Sequence, residues 1–471
     1  MVRSPYIRKM FGDRIYEAFR TIKKTFDPDG VMNPGKIVDS PPLTENLRYG
    51  TTYVTAKPVT HFSFVEHGGF GNAVEMCSGL GACRKKLDGT MCPSYMATRE
   101  EKHSTRGRAN VLRLALAGRL GEAGLHEEGV KEVLDLCLEC RACKAECPVG
   151  VDMGRFKSEF LAARWEKKGG PSLRARLLGN AAGLAKLGSA FAPLSGMIAN
   201  AAPVRWMNEK MIGVDARRPV PRWRRRTLRD QEAARTGVQA LLFVDTFTNH
   251  YDPEIGIAAL ELMDKGGVSA SLAPNVCCGR PLISQGLLGE ARELARENVS
   301  RLYAAAAKGV PLVVCEPSCL SSLREDAPDL LRGEEQERAR VVGHAAVLLE
   351  EYLLGLPLEF AEGPTEIVFH GHCHQKAMGL AAPAIALLSK VPGAKVTALD
   401  SGCCGMAGSF GYVNYEVSKL IGERRLLPAA RTLKPGAVLA AAGTSCRHQV
   451  HDLAGVEAVH PAVLLRGLVK G

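Results

Sequence analysis

The stretch Cys137-Leu-Glu-Cys140-Arg-Ala-Cys143-Lys-Ala-Glu-Cys147-Pro148 decides how the first half of this chain folds. Its four cysteines lie within 12 residues. Such tight spacing wraps three sulfur atoms around one small centre without long side chains. Soft thiolates select iron–sulfur clusters, zinc or copper(I). Zinc sites usually draw on two separated cysteine pairs, so this run favours an iron–sulfur cluster over zinc.

Three cysteines upstream complete a two-cluster pattern. The spacing C-x2-C-x2-C-x3-C-P is that of bacterial ferredoxins, in which the fourth cysteine ligates the other cluster. Leu80 stands where the middle cysteine of the upstream triplet belongs, and leucine cannot ligate iron. The pattern predicts a complete [4Fe–4S] site made of Cys92, Cys137, Cys140 and Cys143. It predicts an incomplete site made of Cys77, Cys83 and Cys147.

The incomplete site leaves two cluster types open. One is a [3Fe–4S] cluster on three cysteines, and the other is a [4Fe–4S] cluster whose fourth iron takes a non-cysteine ligand. Between the two cysteine groups, apolar residues recur at helical spacing over residues 111–116 and 130–136. This insert predicts a helical ferredoxin rather than a small β-rich one.

The composition is that of an ordinary globular protein. At 471 residues the chain is long enough for two or three domains, and its hydrophobic content of 46% is typical of soluble proteins. Cysteines in metal-ligand spacings with no export signal before them predict a reducing, cytoplasmic compartment. The longest uncharged stretch, residues 187–204, is too short and too broken by proline for a membrane span. Peripheral contact with the inner face of a membrane stays open.

Basic residues concentrate in residues 151–235, which carry 18 Lys and Arg against 7 Asp and Glu. Two interpretations stand side by side. The segment docks to an acidic partner or an anionic membrane face, or it is a solvated linker between domains. Aromatic residues are scarce around the arginines, which argues against nucleic-acid binding.

The predicted fold is multidomain, with α and α/β parts. Residues 1–50 contain one amphipathic helix over residues 15–26 and are too few for a core of their own. Residues 51–165 form the helical ferredoxin domain, and residues 166–235 form a basic connector with two weakly amphipathic helices. Over residues 236–471 short apolar strands alternate with helices, which predicts a largely parallel sheet.

The α/β part is an internal duplication, with repeats over about residues 238–335 and 364–465. Cys277-Cys278-Gly279 recurs as Cys403-Cys404-Gly405, at an offset of 126. Ser318-Cys319 recurs as Ser445-Cys446, at an offset of 127. Two anchors shifted by almost the same amount indicate two copies of one unit.

The two repeats differ in their candidate metal ligands. The second repeat adds Cys373, whose counterpart at an offset of 126 is Phe247, and the first repeat has an extra Cys315. A third cluster is predicted on Cys373, Cys403, Cys404 and Cys446. Further candidates in the first repeat are Cys277, Cys278 and Cys319. The alternative is that some of these are buried structural cysteines, which behave as small hydrophobic residues.

Several stretches resemble known families over almost the whole chain. The Cys-Cys-Gly repeats resemble the cysteine-rich (CCG) domain of heterodisulfide reductase, of glycolate oxidase iron–sulfur subunits and of anaerobic glycerol-3-phosphate dehydrogenase. A closer resemblance is to fused FAD-linked D-2-hydroxyacid dehydrogenases of the D-lactate or D-2-hydroxyglutarate type, in their C-terminal iron–sulfur half. The stretches that carry it are residues 26–37 (FDPDGVMNPGKI), 91–95 (MCPSY), 104–110 (STRGRAN), 316–319 (EPSC) and 401–411 (SGCCGMAGSFG).

This resemblance implies that the amino terminus of the chain is the last part of a flavoprotein. Residues 1–37 resemble the end of its cap domain, so the FAD-binding domain is expected upstream or on a partner chain. Two positions depart from the family pattern. Cys315 stands where the family has an aliphatic residue, and the first repeat lacks the leading cysteine.

The function expected from these features is electron transfer within a flavin-linked D-2-hydroxyacid dehydrogenase. Electrons would pass from reduced FAD through iron–sulfur clusters to a quinone or another acceptor. One alternative is thiol–disulfide chemistry of the heterodisulfide reductase kind, and another is a zinc-stabilised binding module without catalysis. No catalytic acid–base pair or nucleophile stands out. His372 and His374, beside Cys373, are either proton carriers near a metal or structural residues.

Overall fold

The computed structural model describes residues 3–45, 47, 49–233 and 236–470. The chain divides into two compact units, Met1–Ala56 and Lys57–Gly471. In the first unit, helix α1 (Ile7–Phe26) contains the helix predicted over residues 15–26 and breaks at Gly12, where φ is 77°. The helix ends in a turn closed by Asp27, whose carboxylate accepts the N–H groups of Val31 and Met32 at 2.8 and 3.0 Å.

The second unit begins with short helices around the cysteine motifs. They are α2 (Phe70–Glu75), α3 (Pro93–Thr98), α4 (Thr105–Leu116), α5 (Glu128–Asp135), α6 (Ala142–Glu146) and α7 (Met153–Lys167). The predicted helical insert is confirmed, because α4 and α5 lie between the two cysteine groups. An aromatic cluster of Phe64, Phe70 and Phe156, with ring centroids 5.3 to 5.9 Å apart, packs α2 against α7.

The connector after α7 contains more helices than the sequence predicts. Its described residues form α8 (Leu173–Gly179), α9 (Ala181–Ala190), α10 (Leu194–Asn200), α11 (Ala202–Ile212) and α12 (Leu228–Gln231). The prediction of two helices was wrong because helix boundaries fall inside the apolar run. The Asn180 side chain caps α9 by accepting the N–H of Gly183, and Pro203 lies in the first turn of α11.

The first repeat is a parallel sheet with helices between its strands. Its elements are β1 (Ala240–Phe243), α13 (Thr246–His250), α14 (Pro253–Lys265), β2 (Ala270–Leu272), α15 (Arg280–Ser284), α16 (Leu288–Ala306), β3 (Leu312–Val314), α17 (Pro317–Ser321), α18 (Ala327–Leu330), α19 (Gly333–Ala345), β4 (Ala346–Leu348) and α20 (Leu349–Leu354). The strand order is β2-β1-β3-β4, with Leu241 opposite Ser271 on one side and Leu312 on the other. The strands are mostly apolar, as parallel strands covered on both faces are.

The second repeat has the same topology. Its elements are β5 (Glu366–Phe369), α21 (Cys373–Ala377), α22 (Ala381–Leu388), β6 (Lys395–Ala398), α23 (Phe410–Val413), α24 (Tyr415–Glu423), α25 (Leu426–Arg431), β7 (Ala437–Ala440), α26 (Thr444–Ala454) and α27 (Pro461–Arg466). The order β6-β5-β7 matches β2-β1-β3, and a single bridge between Ala440 and Val459 stands in place of β4. This equivalence confirms the duplication and the α and α/β fold class.

The two repeats share one hydrophobic core. Val244 and Val313 of the first repeat belong to the same buried cluster as Ile367 and Phe369 of the second. Within the described part of the chain, no helix has the length and apolar character needed to cross a membrane.

Candidate metal centres

The candidate ligands of each repeat follow the carboxyl ends of its three central strands. In a parallel sheet these ends meet at one edge, so the loops that leave them converge. After β5, β6 and β7 come Cys373, the pair Cys403 and Cys404, and Cys446. After β1, β2 and β3 come Thr246, the pair Cys277 and Cys278, and Cys319.

The four cysteines of the second repeat are buried and form a chain of sulfur contacts. Hydrogen bonds link Cys373 to Cys403, Cys403 to Cys404, and Cys404 to Cys446. These bonds lower the pKa of Cys373 to about 7 and lower that of Cys404 well below its usual value. The same bonds raise the pKa values of their partners, Cys403 and Cys446. Four buried thiols ionise together only beside a positive charge, so the set fits a cationic metal centre.

His370 belongs to the same group, and the cysteine spacing does not single it out. One of its ring nitrogens and the sulfurs of Cys404 and Cys446 lie within 4.8 Å of one another. Its Nδ1 is hydrogen-bonded to Ser401, and burial lowers its pKa, which favours the neutral imidazole that binds metals. The available signal was its position directly after β5, at the edge where the cysteines converge.

The first repeat replaces the leading cysteine by Thr246. Thr246 opens α13 as Cys373 opens α21, and the offset of 127 matches that of Cys319 and Cys446. The counterpart is therefore Thr246 and not Phe247, because the loop after β5 is one residue longer than the loop after β1. The Thr246 hydroxyl forms a hydrogen bond with Cys277.

The remaining cysteines of the first repeat fall into two groups. The sulfurs of Cys278 and Cys319 lie 2.9 Å apart, and Cys277 is hydrogen-bonded to Cys278. Cys315 instead lies in the core that the repeats share. Burial raises the pKa of Cys315, and the neighbouring carboxylates of Asp245 and Glu350 raise it further.

The predicted complete ferredoxin site is one small cavity. All four of its cysteines line this cavity: Cys92, Cys137, Cys140 and Cys143. Burial raises the pKa values of Cys137, Cys140 and Cys143. The charge of Cys373 adds to the rise at Cys140 and that of Asp152 to the rise at Cys143, whereas Arg108 partly opposes the rise at Cys137. A convergent set of soft, buried donors fits a [4Fe–4S] cluster. The positive charge of its iron ions would offset the cost of ionising these buried thiols.

Arg108 supplies a buried positive charge beside this cavity. Its guanidinium lies 3.2 Å from the Cys92 sulfur and also donates to Ser94 at 2.8 Å and to the Val133 carbonyl at 3.0 Å. Burial raises the pKa of Cys92, but the Arg108 charge and the Ser94 hydrogen bond outweigh it and lower the pKa overall. Hydrogen bonds from such a group stabilise a thiolate that ligates a metal.

The loop between the ferredoxin cysteines is held by the first repeat. Glu139 and Arg141 have φ angles of 53° and 58°, a left-handed conformation that costs ~1–3 kcal/mol in a non-glycine residue. Arg141 pairs with Asp326 and Glu325, and Glu139 accepts Arg280 at 3.1 Å. These contacts fix the strained loop that places Cys140.

The predicted incomplete site lies nearer the surface. Cys77 and Cys83 are buried, whereas Leu80 between them is 68% exposed. The backbone N–H of Arg106 donates to the Cys83 sulfur at 3.3 Å. Burial raises the pKa of Cys83, and this hydrogen bond partly opposes the rise. Cys147 is half-buried at the end of α6.

The complete site and the second-repeat site are neighbours. Helices α6 and α21 pack against each other, and the charge of Cys373 acts on the pKa of Cys140. His374 of α21 is hydrogen-bonded to the backbone of Glu139 and, at 2.6 Å, to Ser321. The two sets of thiols are therefore neighbours, connected through the packed helices α6 and α21.

Three family models match this chain. The model for the 4Fe-4S dicluster domain matches residues 72–151. The model for the C-terminal domain of FAD linked oxidases matches residues 1–37, and the model for the cysteine-rich domain matches residues 245–324 and 367–451. The last two segments lie within the two repeats described above.

Curated relatives cover the whole chain. It is 30% identical to D-2-hydroxyglutarate dehydrogenase of Pseudomonas putida and 28% identical to that of Escherichia coli K12, over 98% and 99% of this chain and 50% of each relative. It is 29% identical to a subunit of the anaerobic glycerol-3-phosphate dehydrogenase of Escherichia coli K12, over 74% of this chain and 88% of that subunit. The chain thus spans about half the length of the D-2-hydroxyglutarate dehydrogenases it matches. It is an iron–sulfur protein with a dicluster domain and a duplicated cysteine-rich domain, related to FAD-linked dehydrogenases.

Proposed function

We propose that this chain is the electron-transfer part of a flavin-linked D-2-hydroxyacid dehydrogenase. Its electron donor is reduced FAD on a flavoprotein segment or partner chain, and its acceptor is a quinone or another oxidant. The substrate class is supported by the relatives, which include two D-2-hydroxyglutarate dehydrogenases. The match of residues 1–37 to FAD linked oxidases supports a flavoprotein neighbour.

The observation that carries the proposal is the contact between the complete ferredoxin site and the second-repeat site. Iron–sulfur clusters on these thiolates would supply one-electron transfer. Cys92, Cys137, Cys140 and Cys143 would hold one, and Cys373, Cys403, Cys404 and Cys446 another. In the first repeat, Cys277, Cys278 and Cys319 would hold a third with Thr246 beside them, and Cys77, Cys83 and Cys147 remain the candidate ligands of the incomplete site.

The protein residues around the thiols support this role. Arg108 stabilises negative charge at Cys92, and burial of the cysteine loops keeps water from the sulfurs. Packing of α6 on α21 keeps Cys140 and Cys373 close enough for their charges to interact. Short separation through packed protein is what an electron relay requires.

Thiol–disulfide chemistry is the competing function, and the Cys278 and Cys319 pair is its best support. The hydrogen bond with Cys278 lowers the pKa of Cys319, but burial, Asp245 and Glu316 together raise it to about 12. The pKa of Cys278 is also raised well above its usual value. Because the thiolate is the nucleophile, these thiols would react slowly at neutral pH. We therefore favour electron transfer.

Metal analysis and EPR after anaerobic purification test the proposal. We expect iron rather than zinc, and we expect Cys140→Ala to lose one cluster. Cys315→Ala is the matched control, since Cys315 is also buried but lies in the shared core. Zinc in place of iron would contradict the proposal, and so would equal iron loss in both variants. Disulfide reduction by the chain alone would favour the competing function.

We also propose that the chain contacts the inner face of a membrane. Large apolar side chains at the end of α9 and on α10 and α11 are exposed, among them Phe191, which directly follows α9, and Met197 and Trp206, at 63%, 70% and 60%. Residues 181–226 carry 9 Lys and Arg against 2 Asp and Glu. Exposed apolar side chains flanked by basic residues are typical of segments that lie in an anionic membrane surface.

A further inference from the structure

A second cavity lies beside the complete ferredoxin site. Its volume is about 290 Å³, near the lower end of the range for small-molecule sites. It is walled by α5 and α7 on one side, by α8 on another, and by residues 284–285 and 407–414 of the two repeats. Cys137 and Leu138 line both this cavity and the four-cysteine cavity. A molecule bound here would be separated from the proposed cluster by one layer of residues.

The apolar part of the cavity wall is aromatic and aliphatic. Trp165 and Phe410 contribute rings, and Leu161, Leu178 and Val413 contribute aliphatic side chains. The Trp165 indole N–H donates to the Gln285 carbonyl at 2.8 Å, which fixes the orientation of the ring. Such walls suit a flat, apolar ligand.

The polar part of the wall carries charged groups of both signs. Lys157 donates to the Cys137 carbonyl at 2.7 Å and lies 3.7 Å from Glu139. Lys131 pairs with Asp135 in the same wall. The Gln285 amide, which donates to Ser409 at 3.0 Å, is a neutral hydrogen-bonding group. Both acidic groups of the wall face lysines, and Arg174 of α8 adds a further hydrogen-bond donor, so the site favours a ligand that carries hydrogen-bond acceptors.

We propose that this cavity binds the ring of a quinone. A quinone is neutral and planar, and its two carbonyl oxygens accept hydrogen bonds. Its ring would pack between the aromatic and aliphatic walls, with Lys157 and Gln285 as donors to its oxygens. The inference rests on the proposed function, which calls for an acceptor, and it assigns that acceptor a place next to Cys137.

Binding of duroquinone to the full-length, anaerobically purified chain tests the cavity. Duroquinone carries a methyl group at every ring position, so it does not add to the cysteines as unsubstituted quinones do. Calorimetry measures its affinity, and quenching of tryptophan fluorescence reports its approach to Trp165. We expect Leu178→Trp and Val413→Trp, which fill the cavity, to weaken binding at least tenfold. We expect Trp165→Phe to lose most of the quenching while binding persists.

Leu184→Trp is the matched control. It places the same ring on α9, outside the cavity wall, and should leave affinity unchanged. Absence of duroquinone binding, or equal affinity in the filled variants and the control, would overturn the inference. The iron content and EPR spectra of the same samples separate the two proposals. Intact clusters without binding would refute only the cavity assignment, and zinc with cavity-dependent binding would refute only the electron-transfer function.

Discussion

Two ionisable side chains of this chain, Arg108 and Glu350, are almost completely buried, which is unusual for charged residues. Arg108 is 1% exposed and satisfies its guanidinium with a sulfur, a hydroxyl and a carbonyl. Glu350, in the first turn of α20, is fully buried, and neither of its carboxylate oxygens has a hydrogen-bond partner among the described residues. An unpaired buried carboxylate is costly, so the protonated form is favoured.

Glu350→Gln should therefore change how stability depends on pH. Burial raises the pKa of Glu350 to about 7, and the nearby Glu316 adds to the rise. Because the folded state binds this proton more tightly than the unfolded chain, its stabilising contribution is complete below about pH 4 and is lost as the pH rises through about 7. We expect the glutamine variant to be roughly 1–3 kcal/mol more stable than wild type at pH 8, with little difference at pH 5.

Unfolding monitored at both pH values measures this difference. The exposed Glu337→Gln is the control and should show no such pH dependence, because its side chain already contacts water in the folded protein. Parallel stability curves for wild type and Glu350→Gln would show that this carboxyl keeps its charge in the folded protein.

Among the elements, the start of α26 shows how tightly the second-repeat site is packed. Gly443 immediately precedes α26, and a Cβ atom there would lie 2.3 Å from the His372 ring. His372 in turn caps α21, the helix that begins with Cys373. Across the repeats, Glu316 caps α17 and also accepts the N–H of Thr444 at 2.9 Å. The amino-terminal ends of the helices that carry the candidate ligands are therefore packed against one another.

Gly443→Ala should displace His372 and disturb metal binding at the second repeat. Its φ of −72° is ordinary for alanine, so the effect is steric, and we expect a loss of roughly 1–3 kcal/mol. Iron content and EPR should fall for this site while the complete ferredoxin site persists. Gly289→Ala in α16 meets nothing within 4 Å and should be neutral or slightly stabilising. Equal iron content in the two variants would contradict the packing argument.

The sequence predicts the elements well where spacing alone carries the information. The cysteine offsets of 126 and 127 predict the duplication, and the helical pattern predicts the insert that becomes α4 and α5. The prediction that Phe247 is the counterpart of Cys373 was wrong because the loop after β5 is one residue longer than the loop after β1. A fixed offset of 126 does not allow for that extra residue. His370 and Arg108 were missed because their roles depend on neighbours that only folding brings close.

At the scale of the whole molecule, the exposed apolar helices α9, α10 and α11 predict membrane binding. The combined variant Phe191→Ser, Met197→Ser and Trp206→Ser should bind phosphatidylglycerol vesicles at least tenfold more weakly than wild type, because it loses apolar area available for insertion. Binding by wild type should fall as salt rises and should be weak on phosphatidylcholine vesicles. Vesicle co-sedimentation measures both effects.

Leu420→Ser is the matched control for this surface. Leu420 is 51% exposed on α24, which is not one of the three helices, and its replacement should leave vesicle binding unchanged. Absence of wild-type binding would refute the membrane contact. A change in molecular mass by light scattering in the triple variant would identify the surface as a protein interface.

The ion pairs that hold the ferredoxin loop also set an order of maturation. Arg141 and its partner Asp326 are separated by 185 residues of chain. At ~5–20 residues per second, the ribosome makes Asp326 about 10–40 s after Arg141. During that interval the nascent chain has the cysteines of the complete site without the contacts that fix their loop. We infer that this site takes its final shape only after the first repeat has emerged and folded, so cluster insertion and synthesis of the later domain are coupled in time.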